Sequence, residues 1–430
     1  MGTTRNRIPG GFYMKQPGQQ GRRTMVFLAL FLFLHLLPLS SQAYSVLTHE
    51  ALVDANWDKS ILPALKLKYP AATEDDLKKA RSYAYGGAVA PDMGYYPFGS
   101  KLFTNLVHYV RSGDFVEELI KDQQSLNDYA FALGFLCHYM ADIYGHPLGT
   151  NRSVPIVYPE IGKKFGNTVT YAQDKTSHLR MEFGFDVLQT ARGDYASAAY
   201  HNFIGFSVAD TLLGKAFLEI YGLDIHDVFS NFSLAIGTFR WSVKDLFPEI
   251  TRAGWVMKKK EIKKTKPEAR SRDFIYSMHR KQYYSEYGKE HEKTGVFANI
   301  LSFFVRIMPK VGPLKALKFK TPGPEAEKYF VQSFDTVVYH YALFMNNQMP
   351  AKHLTDRDFD TGKKTSFGEY PLCDEAYKDL LMKLKEKNFS TVSPSLKQDI
   401  VNFYSATALH NSSVNDNKEI ARALEELKGM

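Results

Sequence analysis

Cysteine is almost missing from this chain: Cys137 and Cys373 are the only two in 430 residues, too few for a disulfide framework even in an exported protein. The count allows one bridge without predicting it. Cys137 follows the apolar segment Phe131–Leu136 and precedes His138, so it reads as a buried free thiol on the back of a helix. Alternating apolar and polar residues, the mark of half-buried strands, are also lacking, as are internal repeats and low-complexity tracts. The apolar run Val26 to Leu39 has fourteen residues and includes His35 and Pro38, short of the ~20 that span a bilayer. A strong excess of one charge is missing too. The formal +8 includes Arg5, Arg7, Lys15, Arg22 and Arg23 with no acid before residue 44, leaving 49 of the 54 bases against all 46 acids. That balance gives no bulk electrostatic argument for nucleic acid, although a local basic patch still steers toward anionic surfaces.

What is present suits a globular helical protein, with 44% apolar and 14% aromatic residues supplying a sizeable core. Arg22 and Arg23, the apolar run, and Ser41-Gln42-Ala43 form a secretory signal. The first 43 residues are therefore expected to be removed, the mature chain starting at Tyr44. An ordinary n-region is preferred over a twin-arginine signal, and a retained anchor is the other alternative. Three- and four-residue spacing predicts helices over Thr73–Tyr85, Asp114–Ile143, Thr176–Ala191, Val208–Tyr221 and Glu325–Met345. Pro and Gly at Pro91, Pro97–Gly99, Gly145–Pro147 and Pro155–Gly166 mark loops between them. The lysine-rich stretch from Lys258 divides a catalytic segment, 44–257, from a charged linker or loop at 258–272 and a helical extension of unassigned role at 273–430. Within the extension, Phe297–Phe319 reads as a core-facing helix, with a membrane-interface helix as the alternative.

Chemistry concentrates in five short motifs: Tyr44–His49, Ala90-Pro91-Asp92, Val107-His108-Tyr109, His138 through Asp142 to His146, and His178–Glu182. His138/Asp142 and His178/Glu182 stand four apart, on adjacent turns of one helix face, and imidazole with carboxylate is a donor set that zinc accepts. One such pair is more often a plain hydrogen bond. Together, five histidines beside carboxylates or Pro/Gly turns imply metal-assisted hydrolysis. His201, His226, His279, His291, His340, His353 and His410 lack such partners and are assigned to surfaces, caps or the core.

Over roughly Tyr44 to Trp255 these residues resemble the zinc-dependent phospholipases C, kin to the single-strand-specific zinc nucleases. The resemblance implies an all-α, multi-helix bundle holding up to three Zn²⁺ ions. It implies that Tyr44, where the family usually has Trp, binds through its α-amine and carbonyl beside His49. Asp92, His108 and His138 would take a second ion, Asp142 would bridge the two, and His146, His178 and Glu182 would take a third. The His138–His146 interval is shorter than the family's, and the His108–His138 segment is compact. Asp92 is assigned as ligand, general base or both.

The implied activity is phosphodiester hydrolysis at a phospholipid or membrane-surface substrate, with Glu182, where the nucleases more commonly place Asp, favouring the phospholipase. The aromatics Tyr95, Tyr96, Phe98, Phe103 and Tyr109 would line a choline or nucleobase site, or pack in the core. The alternatives are a single-strand nuclease or 3′-nucleotidase acting on nucleic acid, and a catalytically inactive membrane-binding relative. N-x-[ST] sequons begin at Asn151, Asn231, Asn388 and Asn411.

Overall fold

The computed structural model describes residues 46–192, 207–243, 258–264, 318–347, 353–405 and 416–430. The signal segment, Tyr44, and Phe297–Phe319 up to residue 317 lie outside the described residues. Among those described there are helices and no strand, only an isolated bridge between Arg357 and Lys364. The expected all-α class holds.

The first helix, α1 (Val46–Asn56), runs through a π turn into α2 (Leu62–Lys68). The next, α3 (Glu74–Val89), starts where Thr73 and Asp76 form a reciprocal capping box with acids in the first turn, satisfying amides the helix leaves open. A 3-10 turn, Ala90–Tyr95, leads to α4 (Lys101–Tyr109) and α5 (Ser112–Asp122). At the centre lies α6 (Leu126–Gly145), buried on every side from Ala130 to Ile143, as expected of a helix apolar all round. It passes through a π turn, His146–Thr150, into α7 (Asn151–Val157) and α8 (Pro159–Phe165). Then follow α9 (Lys175–Arg192), α10 (Asp210–Tyr221), α11 (Ile225–Val228) and α12 (Phe232–Trp241).

Two glycines allow a close crossing of α3 and α6. A Cβ on Gly87 of α3 would lie 2.0 Å from the Phe131 carbonyl, and one on Gly134 of α6 would lie 1.9 Å from that of Ala84. With hydrogen at both positions the backbones touch, and the histidine one turn beyond Gly134 reaches the other helix.

The extension packs on this frame. Helix α13 (Pro324–Met345) lies against α6, the π turn, α7 and α1, while α14 (Pro371–Glu386) lies against α4. Helices α15 (Pro394–Ser405) and α16 (Asp416–Gly429) complete the chain. Among the described residues no helix is long and apolar enough to cross a membrane.

Several expected boundaries shift. Asp114–Ile143 is two helices, because Ser125 caps α6 by accepting from the Asp128 amide after Gln123 turns extended. The loops expected at Pro91, Gly145–Pro147 and Pro155–Gly166 are largely helical turns: proline enters early in a turn, where its missing N–H costs nothing. Pro159 stands there after the non-helical Tyr158, Pro91 and Pro147 open turns that continue α3 and α6, and Pro155 lies inside α7. The described part of the charged stretch, 258–264, is helical with Ile262 buried. Both cysteines are buried free thiols.

Candidate metal centre

Helix α6 supplies the middle of the site. His138 donates from Nδ1 to the Ala88 carbonyl at 2.7 Å, the contact allowed by the glycine crossing, and turns Nε2 toward Asp142 Oδ2 at 3.1 Å. One turn later, His146 points Nε2 at Asp142 Oδ1 (3.8 Å) and Glu182 Oε1 (3.4 Å). The short His138–His146 interval thus places ligand candidates on three successive turns, the last opening the π turn.

Each neighbouring element adds to this line. The 3-10 turn brings Asp92, whose Oδ1 lies 3.4 Å from His108 Nε2. His108, at the end of α4, faces Asp142 Oδ2 at 3.7 Å and donates from Nδ1 to the Thr104 carbonyl at 2.8 Å. From α1, His49 places Nε2 3.6 Å from Asp142 Oδ1 and stacks on His138 with centroids 4.1 Å apart. The start of α1 is held by α9, where Asp186 accepts from the Leu47 amide (3.2 Å) and the Thr48 hydroxyl (2.6 Å). The same helix carries His178 and Glu182, with Nε2 and Oε1 2.8 Å apart.

The structure therefore brings eight of the nine expected ligands together, and Tyr44 lies outside the described residues. They fall into three groups, His49/His138/Asp142, Asp92/His108/His138 and His146/His178/Glu182, with the donor atoms of each within 4.8 Å of one another. Every one of these side chains is buried.

The donor set fits zinc. Atoms ~2.1 Å from a shared ion at tetrahedral angles stand about 3.4 Å apart, close to the spacings above. Asp92 Oδ1, His108 Nε2, His138 Nε2, His178 Nε2 and both oxygens of Asp142 and Glu182 are buried without a hydrogen-bond partner. Such atoms cost roughly 1–3 kcal/mol each, more when charged, unless a cation satisfies them. The Nδ1 donations of His108 and His138 to backbone carbonyls leave the Nε2 lone pair facing inward, the tautomer a ligand needs.

Electrostatics agree. Burial alone would push Asp142 up, but the charges of His138, His146 and His49 around it hold it far below the usual carboxylate range. Burial raises Asp92 well above its ordinary value and lowers His49 and His108. His146 is raised despite burial, because Asp142, Asp360 and Glu182 surround it.

One acid in that list was not expected. Asp360, from the extension, is 2% exposed, and its Oδ1 lies 3.5 Å from His146 Nδ1. Phe359 beside it packs on His108 with centroids 4.8 Å apart. Nothing local in Asp356–Gly362 signals a partner two hundred residues earlier. Of the aromatics considered for substrate, Tyr95, Tyr96, Phe103 and Tyr109 are buried and Phe98 is 45% exposed.

Residues 48–231 match the family described as zinc dependent phospholipase C. Neither a curated protein nor a solved structure matches the chain.

Proposed function

From the match of residues 48–231 to the zinc-dependent phospholipase C family, we propose that the chain is an exported phosphodiesterase that hydrolyses a glycerophospholipid to diacylglycerol and a phosphorylated head group. What carries the reading is the cluster of buried, unpartnered imidazole and carboxylate atoms around Asp142. Up to three zinc ions are assigned: one to Asp92, His108 and His138, one to His49 with the α-amine and carbonyl of Tyr44, and one to His146, His178 and Glu182. Asp142 faces the first two sets. Zinc, when bound, supplies Lewis acidity toward phosphoryl oxygens and brings the pKa of water toward ~7.

The chain's own groups do the rest. The Asp92 carboxylate takes the proton of the attacking water, and the Ala88 and Thr104 carbonyls fix two imidazoles in the required orientation. A phospholipid substrate is supported by Glu182 as the last ligand and by an apolar edge beside the Asp92 turn. There Phe98 is exposed at φ 63°, and Leu234 is exposed on α12, which is tied to the turn by the Thr238 hydroxyl donating to the Pro97 carbonyl. Export through the N-terminal signal would free the Tyr44 amine.

The test uses exported protein with Tyr44 verified as its first residue, given phosphatidylcholine vesicles and single-stranded DNA under identical conditions. Diacylglycerol release is expected, lost with chelator and restored by zinc. His138→Ala is expected to lower it by more than the roughly 10–100-fold typical of losing an outer-shell partner. Preferential cleavage of the DNA would install the nuclease reading instead. Zinc-replete protein that cleaves neither would be a non-catalytic relative.

A further inference from the structure

The acid that meets His146 from behind is built into a turn of its own. Arg357 and Lys364 pair across it, the Asp358 amide donates to the Lys363 carbonyl at 2.9 Å, and the Gly362 amide returns to the Asp358 carbonyl at 3.0 Å. Gly362 has φ 67°, and a Cβ there would stand 2.2 Å from the Ile143 carbonyl. This glycine therefore lets the tip press against the end of α6. Asp360 occupies that tip.

The turn is strapped to the site from several sides. The Phe359 amide donates to the His108 carbonyl at 3.2 Å, Asn151 Nδ2 to the Asp360 carbonyl at 2.7 Å, and Tyr139 to the Thr355 carbonyl at 2.6 Å. The Asp360 side chain is fixed as well, Oδ2 accepting from the Tyr109 hydroxyl at 2.9 Å and from the Tyr370 hydroxyl. That leaves Oδ1 for His146.

Spacing alone suggests another role, since Asp356, Asp358 and Asp360 alternate like the acids of a cation-binding loop. Their side chains diverge. Asp356 Oδ1 accepts from the Gly113 and Asp114 amides (2.9 and 3.1 Å), and Asp358 accepts from the Thr361 amide (2.6 Å) and hydroxyl (2.5 Å). Only Asp360 turns toward the centre.

His146 is held differently from its neighbours. His108 and His138 give Nδ1 to backbone carbonyls. His146 Nδ1 instead faces the Asp360 carboxylate at 3.5 Å, at the point where the helix widens into the π turn. A carboxylate behind a ligand imidazole fixes the ring and raises its basicity.

We infer that Asp360 is the positioning residue for His146, so that the C-terminal extension, outside the family match, completes the metal centre. This rests on the zinc reading above. The test measures zinc binding to metal-free full-length protein by competition with a chromogenic chelator, alongside the melting curve of each metal-free variant. In Asp360→Asn one zinc site is expected to weaken about 10–100-fold with the others unchanged, and His146→Ala is expected to weaken that same site. Tyr370→Phe removes one clamp while keeping the carboxylate, and a smaller loss at the same site is expected. It also carries the test if Asp360→Asn does not fold. Unchanged affinities in the folded variants, or an equal loss at every site, would overturn the inference. Wild-type protein that takes up no zinc would instead overturn the reading beneath it.

Discussion

Asp142 has four imidazoles within 3.8 Å, from His49, His108, His138 and His146, and both its oxygens lack hydrogen-bond partners. That arrangement suits a bridging ligand better than a structural ion pair, which needs each carboxylate lone pair satisfied. Tyr95 is a second residue whose burial has no structural return. Its ring stands edge-on to His108, centroids 6.3 Å apart, and its hydroxyl is buried without a partner. Tyr95→Phe is expected to stabilise the metal-free protein by about 1 kcal/mol, since an unpaired hydroxyl is removed. It is also expected to lower turnover by roughly 100-fold, the usual loss of one donor to a developing oxyanion. Unchanged turnover with a raised melting temperature would make the hydroxyl a packing defect. The ligand candidates were legible in the sequence because helical spacing pairs His138 with Asp142 and His178 with Glu182. Asp360 was not: its partner is distant, and alternating acids read equally well as a solvated turn.

At the scale of elements, the central helix was legible from its unbroken apolar run, whereas its start was misplaced because the Ser125 cap interrupts a continuous periodicity without a proline or glycine. Helix α5 shows another long-range device. Its first amides are capped by Asp356 from the extension. Burial and the nearby Asp114 push the Asp356 carboxyl up to about 7, against the pull of the Asp114 amide and, more weakly, Arg111, while Asp399 adds to the rise. Asp399 itself is raised to about 6, chiefly by burial. Because the folded state holds the Asp356 proton more tightly than the unfolded state does, this group's stabilising contribution is full below about pH 4 and is lost as pH rises toward 7. Asp356→Asn keeps an oxygen for both amides and removes the titration. Urea unfolding at a series of pH values is expected to show the variant gaining on wild type between about pH 4 and 7, by about 3–4 kcal/mol at the top, one pKa unit being worth ~1.4 kcal/mol. A constant difference across that range would refute the assignment.

Across the whole molecule, the extension bears on the folding of the segment that holds the ligand candidates. Phe330 of α13 stacks on Phe185 of α9 with centroids 4.5 Å apart, the Tyr341 hydroxyl donates to the Leu133 carbonyl of α6 at 3.1 Å, and Ser153 of α7 donates to the Ala326 carbonyl at 3.2 Å. Phe330, Val337 and Tyr341 are each at most 2% exposed, and burial of three such side chains is worth roughly 5–9 kcal/mol. A domain's net stability is only ~5–15 kcal/mol, so removing this helix takes away much of the margin while uncovering the apolar flank of α6. A chain comprising residues 44–264 retains every ligand candidate and the whole family match, yet it lacks α13 and the Asp360 turn. It is expected to keep part of its helical circular dichroism, to lose a cooperative melting transition and to bind a hydrophobic dye. A sharp transition near that of the full chain would show instead that the family segment folds alone, with the extension an accessory to its metal centre.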